Sequence, residues 1–322
     1  MDLERGFKPV VARWLKKYAI ILVLVMLVII LSLLNDKFLQ LKNLSNVLRQ
    51  IAVVTIMSFG VTNIIITGGI DLGMGSYVAL SGVLAASVVK TDPNAVALAL
   101  LVGLGIGSLC GIVNGAIIVS AKIPPFIVTL GMTQIARGAA MLITNGKPIS
   151  MLGEGFTYWG KGDLFGFLPM PIVVMLFMFL LSTLLLTKTK FGKYARAIGG
   201  NETAARISGI NTGWYKFLVY AYGGLCCGVA AMVMTARIDS GQPGMAEGYE
   251  LDAIASSVIG GTSQSIGGVG TMWGALVGSL IIGSLNTGLN LLNVSSYWQL
   301  VVKGLIIIVA IVLDERKNRV KA

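Results

Sequence analysis

Apolar residues in this 322-residue chain run in long blocks separated by short polar stretches. A helix needs roughly 20 apolar residues to cross a bilayer. Ten such segments are expected, near 18–35, 50–67, 74–89, 96–120, 126–143, 169–187, 215–236, 252–267, 270–291 and 298–313. Those at 74–89 and 252–267 are short, so each is expected to be tilted, broken or partly re-entrant. The pattern predicts an all-α integral membrane fold, organised as a single transmembrane domain over residues 1–322. The run starting near Tyr18 has no small-residue cleavage site after it and reads as a retained first span.

Ten spans put both termini on one side, and the positive-inside rule names that side. Arg5, Lys8, Arg13, Lys16 and Lys17 sit in the N-terminal tail. Lys188, Lys190, Lys193, Arg196 and Arg206 sit in the 188–214 loop, and Arg316, Lys317, Arg319 and Lys321 in the C-terminal tail. With Lys122, fifteen positive residues share one face, against seven on the other. The termini and the 188–214 loop are therefore expected in the cytoplasm, and the 144–168 loop, with Trp159, outside.

Composition strengthens the membrane reading. Hydrophobic residues make up 55% of the chain and charged residues 12%, about half the charge of a soluble domain. Mean hydropathy is +0.84. The net charge of +11 lies in short tails and loops, with no basic aromatic face of the kind that reads nucleic acid. The sequence has no His, which removes the usual general base. Cys110, Cys226 and Cys227 fall in apolar runs and read as small buried residues. No Walker-type phosphate loop is present. The chain is thus not expected to be an enzyme or to bind a cofactor itself. A gradient-driven secondary transporter is the competing class, but it would call for membrane-embedded proton relays. Among 41 glycines, Gly103, Gly107, Gly111 and Gly115 recur at four-residue steps, as do Gly274 and Gly278. That spacing predicts close helix packing.

Ionisable and amide groups inside apolar segments are the candidates for a substrate path. Asp71 lies in a stretch with glycines at 68, 69, 73 and 75. It reads either as the cap of a broken half-helix beside the path or as the N-cap of an ordinary hairpin. Arg137 reads as a charge facing the bundle interior or an acidic partner such as Asp71, or as a snorkelling side chain. Lys303, five residues past Trp298, is expected to snorkel. Glu250 and Asp252 precede a span, and read as dipole-stabilised acids or as groups at the outer mouth. Asn63, Asn114, Asn145, Asn286, Asn290 and Gln299 are polar candidates, with Asn286 and Asn290 on one helix face.

The 188–214 loop carries its own signal. Asn201 is expected to cap a short helix from Glu202 to Ser208, with Gly209 as its stop. Ala204, Ala205, Ile207 and Ser208 give it a small-residue face suited to enter a partner's groove, and Gly199, Gly200 and Arg206 belong to the same candidate coupling element.

That loop resembles the cytoplasmic loop of ribose-type permeases of ATP-binding cassette sugar importers. Further matching pieces are Asn43-Leu44, Gly69-Ile70-Asp71-Leu72, Pro125–Gly131, Asn145-Gly146 and Gly248–Ala255. Gly260–Ser263, Asn290-Leu291-Leu292, Tyr297-Trp298-Gln299 and Lys303-Gly304 extend the series. The resemblance implies a paired permease, usually a homodimer, in the bacterial cytoplasmic (inner) membrane. Two cytoplasmic ATPase subunits would use the ATP, and a periplasmic or surface sugar-binding protein would deliver the cargo. The 188–214 loop would contact the ATPase. The resemblance points to ribose, with galactose, xylose, arabinose and the autoinducer sugar as related cargoes.

Overall fold

The computed structural model describes residues 20–263 and 265–319. Tyr18 and the basic tail residues Arg5, Lys8, Arg13, Lys16, Lys17 and Lys321 lie outside them. The described chain is almost wholly helical. In order it forms α1 (Ile20–Leu34), α2 (Leu41–Ile66), α3 (Met74–Thr91), α4 (Val96–Ala121) and α5 (Pro125–Thr144). A connector follows with strand β1 (Ile149–Ser150), helix α6 (Glu154–Lys161) and strands β2 (Asp163–Leu164) and β3 (Leu168–Pro169). Then come α7 (Met170–Lys188), α8 (Lys190–Gly200), α9 (Glu202–Ile207) and α10 (Thr212–Ile238). Strand β4 (Ser240–Gly241) leads to α11 (Tyr249–Ile259), α12 (Met272–Leu291) and α13 (Ser296–Arg319).

Among the described residues, seven helices are long and apolar enough to cross a membrane: α2, α3, α4, α5, α7, α10 and α12. Two shorter apolar helices are α1 and the Ser296–Val309 part of α13. The segment expected near 252–267 is short and broken, one of the forms expected for it. Its helix, α11, has 11 residues, which is about 17 Å of rise against a hydrocarbon core of about 30 Å. Gly260 ends it, and Gly261 continues at φ +87°, where a side chain would be strained. The 74–89 segment, by contrast, is one unbroken helix, α3.

Helix α10 is central, packing on α4, α2 and α3. The four-step glycines of α4 make the α4–α10 contact. A Cβ at Gly107 would lie 2.5 Å from Gly228 N, and one at Gly115 3.1 Å from Phe217 Cα. Gly103 faces the flexible Met232. The backbones approach because neither helix carries bulk there. Gly278 brings α12 equally close to Ser256 of α11.

Two short antiparallel ribbons close the loops. β1 pairs with β4, with Ile149 opposite Gly241, and β2 pairs with β3. After β4 the chain folds back along α3 without helical hydrogen bonding. Met245 and Ala246 are buried, and a Cβ on Gly75 would overlap Ala246 O and the Glu250 carboxylate. Non-helical backbone packed within protein needs outside partners for its carbonyls.

Candidate substrate path and partner-facing element

Helix α2 stops at Ile66 and α3 starts at Met74, and Asp71 sits in the break. Its Oδ1 accepts from Gly73 N at 2.8 Å and from the Tyr77 hydroxyl at 3.0 Å. Asn114 Nδ2 donates to Oδ2 at 3.5 Å and also to the Tyr77 hydroxyl. Tyr220 OH donates to Ile70 O at 3.3 Å. Asp71 is 1% exposed. Its carboxylate braces the α2–α3 turn through the amide of Gly73, the residue that itself caps α3. Asn114, another path candidate, joins this knot. Asn63 is buried in α2, and its Nδ2 donates to Phe59 O at 2.9 Å.

Arg137 does not pair with Asp71. Its Nη1 donates to Pro243 O at 2.8 Å and Met245 O at 2.9 Å, two carbonyls of the fold-back segment. The expected acidic partner is thus replaced by backbone dipoles that no helix satisfies. Arg137→Gln should lower thermal stability of the solubilised protein by about 2–3 kcal/mol, the scale of lost charge-assisted hydrogen bonds. A melt read by size-exclusion chromatography checks this, with Arg137→Lys expected to fall between.

A second polar group forms between α2, α11, α12 and α13. Lys303 Nζ lies 2.8 Å from Asp252 Oδ2, and Asn286 Nδ2 donates to the same oxygen at 3.4 Å. Gln299 Nε2 donates to Asn290 Oδ1 at 2.8 Å. These five residues, with Gln50 and Tyr249, line a cavity of about 90 Å³. Asp252 is 2% exposed. Lys303 therefore does not snorkel: a buried carboxylate 51 residues away holds it inside, because either charge alone would be costly there. Glu250 lies away from this cavity. Its Oε1 accepts from Gly248 N at 3.2 Å, and its Oε2, beside Gly75, has no partner among the described residues.

The third group is the α8–α9 corner. Asn201 Oδ1 accepts from Ala204 N at 2.9 Å and caps α9, and Gly209 ends the turn at φ +82°. Lys216 of α10 pairs with Glu202 at 2.6 Å, and Ala205 is buried, so α9 is seated on its inner side. Its outer side is bare, with Ile207 83% exposed and Arg206 exposed. Gly199 and Gly200 differ sharply. A Cβ on Gly199 would overlap Ile66 O, whereas one on Gly200 meets open space. Arg196 donates to Gly270 O at 2.8 Å and Gly268 N to Ile66 O at 2.8 Å. The corner is therefore tied to the end of α2 and to the loop before α12.

A family model described as "Branched-chain amino acid transport system / permease component" matches residues 43–311. The chain belongs to this permease family. The permease is 46% identical over 297 residues to the ribose import permease protein RbsC of Bacillus subtilis (strain 168), covering 92% of this chain and 91% of that protein. It is 42% identical over 313 residues to RbsC of Escherichia coli (strain K12), covering 95% of each. It is 37% identical over 321 residues to the galactose/methyl galactoside import permease protein MglC of Salmonella typhimurium (strain LT2), covering 94% of this chain and 95% of that one. No solved structure matches it. It is a multi-pass protein of the bacterial cytoplasmic (inner) membrane.

In the permease, the sequence candidates fall into separate places. Asp71 and Asn114 meet in the α2–α3 break, while Asp252, Asn286 and Asn290 meet in the second polar group with Gln299. Gln50 and Tyr77 were not singled out by sequence. Tyr77, six residues after Asp71, is the one a local signal could have found.

Proposed function

We propose that this permease is the membrane-spanning subunit of an importer for ribose or a closely related monosaccharide. The observation that carries this reading is the 46% identity over 297 residues with a ribose import permease. Galactose is the runner-up cargo, on the relative at 37% identity. The cavity at Asp252, Asn286, Asn290, Gln299 and Lys303 supports a sugar path, since hydroxyls need both donors and acceptors. Asn286 Oδ1 is an acceptor without a partner among the described residues, and a hydroxyl can donate to it.

In this reading the chain is one domain of ten membrane segments with both termini cytoplasmic. It binds no cofactor. Two copies pair, a sugar-binding protein delivers cargo on the outer side, and ATPase subunits supply the energy. The ATPase docks on α9 and the residues flanking it, a coupling element of Gly199, Gly200, Asn201, Glu202, Ala205, Arg206 and Gly209. ATP binding closes the ATPases, α9 carries the motion to α10 through the Lys216–Glu202 pair, and the path opens alternately to each side. The permease holds the sugar weakly, because a tight site slows release.

The test is uptake of labelled ribose into liposomes holding the permease, its ATPase and the binding protein. Uptake is expected to require ATP and all three components. Uptake by the permease alone, or uptake stopped by an uncoupler but not by ATP depletion, would overturn the reading. Ile207→Glu places a charge where a docked partner would bury an apolar side chain. It should weaken ATPase pull-down by about tenfold or more and leave membrane insertion unchanged. Gly200→Trp should act alike through clash.

A further inference from the structure

A basic cavity of about 520 Å³ opens beside α9, between the ends of α2 and α4 and the starts of α5 and α10. Lys122, Arg206 and Lys216 line it, with Thr67 and Tyr220 contributing hydroxyls. Its single carboxylate, Glu202, is already engaged by Lys216. Neither Lys122 nor Arg206 has an ion-pair partner among the described residues. The cavity thus holds two uncompensated cations, and its charge is complementary to an anion.

A second cavity adjoins it and has the opposite character. This is an open groove of about 380 Å³ along α4 and α10, lined by Ala116, Val119, Trp214 and Phe217 among others. Val119 and Gly213 line both spaces. Trp214 stacks on Phe217 with ring centroids 5.3 Å apart and is 53% exposed. Aromatic residues of this kind gather where headgroups meet acyl chains.

We propose that the two spaces form one binding site for an anionic phospholipid. The phosphate lies against Lys122 and Arg206, and an acyl chain lies along the groove beneath Trp214 and Phe217. A soluble phosphate ester would use the first space and leave the apolar groove empty, whereas a neutral lipid would use only the groove. The site touches α9 through Arg206, so lipid occupancy bears on the same corner that faces the partner. The proposal concerns binding to the permease itself and does not depend on the cargo.

The test is native mass spectrometry of the purified full-length permease, titrated with phosphatidylglycerol, phosphatidylcholine or glycerol 3-phosphate. Phosphatidylglycerol should be retained in preference to phosphatidylcholine. Lys122→Gln with Arg206→Gln should weaken phosphatidylglycerol by about 30-fold, each removed cation accounting for about fivefold, and leave phosphatidylcholine unchanged. Trp214→Ala should weaken both lipids. Equal retention of the two lipids, or unaltered phosphatidylglycerol binding in the double variant, would overturn the site. Glycerol 3-phosphate displacing phosphatidylglycerol at equal concentration would overturn the lipid assignment.

Discussion

Asp252→Asn is expected to cut sugar uptake by roughly 100-fold and to lower the yield of folded protein, since breaking a buried pair costs about 3–5 kcal/mol. The carboxylate is 2% exposed and lies 2.8 Å from Lys303 Nζ. An asparagine keeps the shape but leaves the ammonium in a site without a counter-charge. Folding and transport separate in the double variant Asp252→Asn with Lys303→Gln. Removing both charges should restore much of the folded yield, because the unpaired charge is gone. Uptake should stay low if the pair also meets the sugar. A double variant that transports at the parental rate would reduce the pair to a packing feature. Uptake by the reconstituted complex and monodispersity in detergent are the two readouts.

Gly111→Leu is expected to prevent assembly of the bundle altogether. A single Cβ there would overlap Tyr220 O and lie 2.9 Å from Gly224 Cα. Both are backbone atoms, so no side chain can swing aside, and α4 and α10 must separate. Overpacking a tight contact costs about 1–3 kcal/mol even where side chains can adjust, and the cost is larger here. Separation would also pull Tyr220 from Ile70 O and loosen the Asp71 knot. Gly105→Ala, on the same helix with nothing within 4 Å, should leave yield and melting temperature unchanged. Loss of monodisperse protein for one variant and not the other checks the argument; equal yields would refute it.

What sequence could reveal followed the range of each interaction. The glycine spacing of α4 was readable because four-residue periodicity is a local property, and its partner surface is a helix with glycines at 224 and 228. The Asn201 cap and the Gly209 stop were readable for the same reason. Asp71 left two readings open, because Asn114, 43 residues away, completes its environment. Arg137 left an interior or acidic partner and snorkelling both open, because the two carbonyls that hold it belong to a segment about 107 residues away. Lys303 was misread because its neighbour Trp298 suggests an interface, and nothing near it in sequence announces Asp252. The fold-back after β4 was invisible: Gln242, Pro243 and Gly244 have the composition of a surface loop. Its burial depends on the bare glycine surface of α3.

That guanidinium grip on the fold-back segment constrains how the molecule can move. One Arg137 nitrogen holds two peptide oxygens at once, so α5 cannot swing away without stripping both in an apolar setting. Helix and segment must travel as one mechanical part, and any hinge has to lie elsewhere.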